Sequence, residues 1–82
     1  MDNSSFVGIG RNPDPNVPDI PLGLGMELMQ QSDARRGFEI LNSGEKTRVI
    51  EYIQASVDGD DTKERIRTVI NKLADGSIRD LI

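Results

Sequence analysis

Two amphipathic helical patterns, each opened by a capping signature and joined by an acidic loop, occupy residues 38 to 76 and direct this chain to a small helical fold. In the first, Val49, Ile50, Ile53 and Val57 recur at the 3.6-residue period while Lys46, Arg48, Glu51 and Gln54 point elsewhere. Asn42 with Glu45 three residues on is a capping-box-like pair, and Ser43 is the competing cap. The loop Asp58-Gly59-Asp60-Asp61 ends that helix. Asp61 with Glu64 then repeats the capping logic ahead of Ile66, Val69, Ile70 and Leu73, and Gly76 is placed to stop the second helix.

Upstream, the stretch LGLGMELMQQ sets Leu24, Leu28 and Gln31 on one helical face with Met26 and Met29 beside it. Pro21 suits a first helical turn, but Gly23 and Gly25 each lower helicity, so the expected start moves toward Gly25. Ser32 reads as the cap of a short second helix with Asp33 in its first turn, Ala34, Phe38 and Leu41 on one stripe, and an end near Asn42. Beyond Gly76, Ile78, Leu81 and Ile82 are apolar enough to cover the open end of a bundle. Residues 1–20 differ in character. Pro13, Pro15 and Pro18 with Gly8 and Gly10 interrupt any hydrogen-bonded structure, which reads as a disordered arm. Its one apolar cluster is Phe6, Val7 and Ile9, either a chance patch, a short linear motif or a segment that docks on the domain. The expected fold is all-α: a small bundle of three to four short helices over 21–82 behind a disordered N-terminal arm. Its core should hold Phe38, Leu41, Val49, Ile50, Ile53, Ile66, Val69, Ile70 and Leu73.

Of the 82 residues, the sixty or so outside the arm must supply the core, and at that size a single apolar core rarely gives more than about 3–5 kcal/mol. Disulfides, thiolate zinc sites, thiol nucleophiles and imidazole chemistry are all removed by the lack of Cys and His. Self-association remains as a source of stability. The formal charge of −4, with acids interspersed among bases, lacks the field of a nucleic-acid binder. No apolar run is long enough for a membrane span and no secretory signal opens the chain, so the expected compartment is the cytoplasm.

Candidate chemistry is sparse. Asp58, Asp60 and Thr62 alternate as in a calcium loop, but counting from Asp58 the sixth position is Lys63 rather than Gly, and the twelfth is Val69 rather than Glu. Gly23-Leu24-Gly25 follows no strand, and Leu28 stands where a phosphate loop needs its third Gly. Paired carboxylates need an enclosing cleft that so small a unit has little volume to build. The expectation is therefore a chain without catalytic residues, cofactor or metal. Among Arg35, Arg36, Arg65, Arg67, Lys72 and Arg79, the Arg65/Arg67/Lys72 side is the one candidate basic surface. Glu39, Glu45, Glu51, Glu64 and Asp75 are interspersed with these bases and favour ordinary local pairing instead. Tyr52 beside Ile53 reads as a core-edge aromatic. Leu24, Leu28, Met26 and Met29 exceed what two short helices need to cover, and Met suits partner grooves as well as cores; core packing is the favoured reading, a self-association or partner-binding surface the other.

From about Leu28 to Gly76, several groups of residues resemble the C-terminal helical segment of the bacteriocin-protection, YdeI or OmpD-associated family. They are Ala34, Phe38-Glu39-Ile40-Leu41, then Lys46, Arg48, Tyr52-Ile53 and Ala55, and finally Arg65-Ile66 through Ile70 to Leu73-Ala74-Asp75-Gly76. The larger N-terminal domain that usually precedes the segment is replaced here by the Pro-rich arm. The opening Pro21-Leu22-Gly23-Leu24-Gly25-Met26 is similar to small uncharacterised helical proteins of Firmicutes. The resemblance implies a bacterial source and, for some members, a link to tolerance of antimicrobial peptides; it supplies no site residue. The function expected is a non-catalytic protein-interaction module, with Leu24, Met26, Met29, Arg65, Arg67 and Lys72 as the candidate partner surface and an unknown protein or a second copy as partner. The alternative is a stress-response or nucleic-acid-associated accessory protein using the weak basic face.

Overall fold

The computed structural model describes residues 18–82, so the expected disorder of the arm lies outside the described residues for positions 1–17. Four α-helices follow in order: α1 (Leu22–Gln30), α2 (Ser32–Glu39), α3 (Ser43–Gln54) and α4 (Gly59–Asp75), closed by a 3-10 turn at Ile78–Asp80. No strand occurs among the described residues. The all-α bundle of short helices is thus the fold of this chain. Helix α4 is its centre, with α1, α2, α3 and the terminal turn all packed on it.

The core holds Phe38, Leu41, Val49, Ile50, Ile53, Val69, Ile70 and Leu73 as the periodicity requires, together with Leu24, Leu28, Ala34 and Ile78. Ile66 is only partly buried, at the edge of this cluster beside Tyr52, Leu81 and Ile82. Ile20 also packs there, so the last residue assigned to the arm belongs to the folded unit. Val57 departs from the expectation outright: it is 83% exposed. Helix α3 stops at Gln54, and a residue three positions past its end no longer follows its period.

Local chemistry explains the helix boundaries. Asn42 and Glu45 form the expected capping box, with Asn42 Oδ1 accepting from the Glu45 N–H at 2.8 Å and Glu45 Oε1 accepting from the Asn42 N–H at 3.0 Å. At α4 the cap lies three residues earlier than the Asp61–Glu64 reading. Asp58 accepts from the Asp61 N–H at 2.8 Å, and Asp61 returns a bond from the Val57 N–H at 3.0 Å. Gly59 is therefore the first helical residue rather than loop. Ser32 is no cap either: the single residue Gln31, extended at φ −121° and ψ 96°, both closes α1 and opens α2. Pro21, with ψ 140°, caps α1 from outside, and Gly23 lies within the helix. A Cβ there would stand 2.9 Å from Ile66 Cδ1 on α4, the tip of a partly buried side chain that can turn aside. Gly76 stops α4 in the left-handed region at φ 83°, where its N–H and that of Ser77 both reach the Lys72 carbonyl.

Helices α2 and α4 meet more closely than side chains allow. A Cβ built on Gly37 would lie 2.2 Å from the Leu73 carbonyl oxygen, so this crossing depends on glycine. Phe38, next to it, is then delivered to the core at 5% exposure.

Candidate functional site

Helix α1 is apolar on two opposite sides. Leu24 and Leu28, one turn apart, face the core. Leu22, Met26 and Met29 fall at i, i+4 and i+7, within roughly 60° of one another on the helical wheel and turned away from the Leu24 and Leu28 side. They are 65%, 48% and 42% exposed. A surface helix normally carries polar residues on its outer side, whereas here three large apolar residues lie in one stripe. Leu24, expected on this surface, is fully buried and belongs to the core instead. Leu22 takes its place. The only ionisable side chain of the helix, Glu27, is hydrogen-bonded by Gln31 Nε2 at 3.3 Å.

The basic residues do not converge. Arg65 Nη1 donates to the Tyr52 carbonyl at 2.9 Å, its Nε lies 3.1 Å from Asp61 Oδ2, and its guanidinium stacks 4.7 Å from the Tyr52 ring centroid. It thereby satisfies an open carbonyl in the last turn of α3 and ties α3 to α4, which makes it a structural cation. Lys72, seven residues on, is on the Arg65 side and half-buried, whereas Arg67 points roughly 200° away and is exposed. The three expected basic residues therefore share no face.

At the other end, Asp33, Arg36, Gly37, Ile40, Leu73 and Arg79 line part of an open cleft of about 330 Å³ between α2 and the end of α4. Its charges are already engaged. Arg36 is 3.5 Å from Asp33, and Arg79 grips Glu45 through Nε at 2.6 Å and Nη2 at 3.2 Å. Asp75 accepts from the Ser77 hydroxyl and N–H, which hold its carboxyl below the usual aspartate value. Among the described residues no cluster of three or more acidic side chains is arranged to hold a metal ion, and no helix is long and apolar enough to cross a membrane.

Glu45 joins two elements, since it closes the α3 capping box and receives Arg79 from the terminal turn. The Arg79 hydrogen bonds, then the Asn42 N–H, lower its pKa from the ordinary glutamate value. A carboxyl whose pKa is lower folded than unfolded favours the fold fully above the ordinary value and loses that contribution as pH falls through the folded one. Between about pH 6 and pH 3 the parent should lose more stability than Glu45→Gln, read as the drop in urea midpoint. Equal losses would mean that the Arg79–Glu45 tie contributes nothing in solution.

Comparison with known protein families, curated proteins and solved structures found no match to this chain.

Proposed function

We propose that this protein is a non-catalytic protein-interaction module whose docking surface is the outward face of α1. The observation that carries the reading is the Leu22/Met26/Met29 stripe, exposed on a helix whose other side is already buried. Unbranched, polarizable Met side chains adapt to a partner's groove, and an i, i+4, i+7 set is the pattern by which an amphipathic helix seats its anchors. The carboxylates that line the cleft lend catalysis no support, because Asp33 faces Arg36 and Asp75 accepts from the Ser77 hydroxyl and N–H. A nucleic-acid role through Arg65, Arg67 and Lys72 draws no support from a set in which Arg65 is bound to α3. The resemblance of residues 28–76 to the bacteriocin-protection, YdeI or OmpD-associated family adds a bacterial setting to the proposal.

The test compares full-length protein with Met26→Lys and Met29→Lys as baits in lysate at moderate and high salt. Both variants should fold as the parent does, because the positions are about half exposed, and should lose about tenfold or more of any partner held by the parent. Binding through an apolar face should hardly change with salt. A partner retained equally by both variants, or one released by salt alone, would overturn the assignment.

A further inference from the structure

The outward face of α1 has an occupant within the chain itself: we propose that residues 6–9, through Phe6, Val7 and Ile9, seat on Leu22, Met26 and Met29 when no other partner does. This rests on reading that face as a docking surface, and it means that an external partner must displace the arm. Size favours the arm over a second copy. Three partly exposed side chains present a few hundred Å² at most, against the roughly 800 Å² per partner of a stable two-chain interface. A tethered segment needs far less, because a short linker holds it at an effective concentration on the order of millimolar.

Reach and chemistry agree with this. Twelve residues, 10–21, separate Ile9 from Leu22 and span roughly 37 Å when extended, whereas Leu22 and Met29 are only about 10 Å apart along the helix. Gly10 and Asn12-Pro13 supply turn signals at which the chain can reverse toward α1. Residues 3–10 carry no charge, and neither does the stripe, so the contact leaves no ion unpaired. An aromatic ring on two thioethers is a favourable pairing.

The experiment is methyl NMR on the full-length chain labelled at its methionines, with a nitroxide attached at Asn3→Cys, the chain having no cysteine of its own. The Met26 and Met29 methyl signals should be broadened severalfold more than in the same protein carrying Phe6→Ala, and equally at high and low protein concentration. In methionine-labelled protein without the nitroxide, Phe6→Ala should also shift both methyl signals through loss of the ring. Equal broadening with and without Phe6 would overturn the proposal, as would broadening that fades on dilution, the mark of a second copy. Either failure leaves the docking surface itself to be judged by the Met26→Lys and Met29→Lys captures.

Discussion

Gly37→Ala is expected to remove about half or more of the protein's stability, although alanine is the better helix former. The new methyl would meet backbone, with the Leu73 carbonyl oxygen at 2.2 Å and its carbon at 2.9 Å, and neither can rotate away as a side chain would. Relieving the overlap means moving α2 off α4. Overpacking costs about 1–3 kcal/mol and occasionally more, and an overlap this deep with backbone takes the upper end, because it opens the central contact of the bundle. The gain in helix propensity offsets up to ~1 kcal/mol. Set against the roughly 3–5 kcal/mol available to a core this small, the net loss should lower the urea midpoint by half or leave the chain largely unfolded. Gly59→Ala is the control. It lies in the first turn of α4 with nothing within 4 Å of its would-be Cβ, so it should be neutral or stabilising. If both substitutions raise the midpoint alike, α2 and α4 do not cross at Gly37.

The second large effect is expected at the centre of the core. Ile53 and Ile70 are 2% and 4% exposed on α3 and α4, so Ile53→Asp or Ile70→Asp would bury a carboxylate with no partner. The cost, about 4–5 kcal/mol or more, equals or exceeds the whole stability of a domain this size. Cooperative thermal unfolding, followed by circular dichroism, should disappear in both variants. Val57→Asp separates this structure from the sequence pattern. The helical period places Val57 on the same stripe as Ile53, yet it is 83% exposed, so aspartate there should leave the melting curve unchanged. A Val57→Asp variant that unfolds, or an Ile53→Asp variant that melts like the parent, would show that the α3 boundary is misplaced.

These residues also mark how far the sequence could be read. The core faces of α3 and α4 were legible because each has a single apolar stripe opposite a charged one, and Asn42–Glu45 because its cap is wholly local. At α4 two overlapping acidic pairs, Asp58/Asp61 and Asp61/Glu64, offered equivalent caps. The choice fell to Asp58, whose partner Asp61 also binds the Val57 N–H and Arg65. Helix α1 was ambiguous for a different reason. With Leu24/Leu28 on one side and Leu22/Met26/Met29 on the other, periodicity alone does not say which side faces inward, so Leu24 stands among the candidate surface residues as well as the core and Leu22 is not singled out. Gly37 carried a signal that was missed: a glycine inside a short helix pays a propensity cost, and close backbone approach is the usual reason to keep one. Arg65, expected on an open basic surface, was beyond reach of the sequence because its role depends on a carbonyl thirteen residues away on another helix.

The claim that the outward face of α1 is where this protein meets its partner is tested most directly by photocross-linking in lysate, with a benzophenone side chain placed either at Met26 or at the still more exposed Val57. Position 26 should give a discrete adduct to another protein that excess unlabelled parent suppresses and excess Met29→Lys does not, while position 57 gives none. An identical adduct from both positions, or one suppressed as well by Met29→Lys as by the parent, would contradict it.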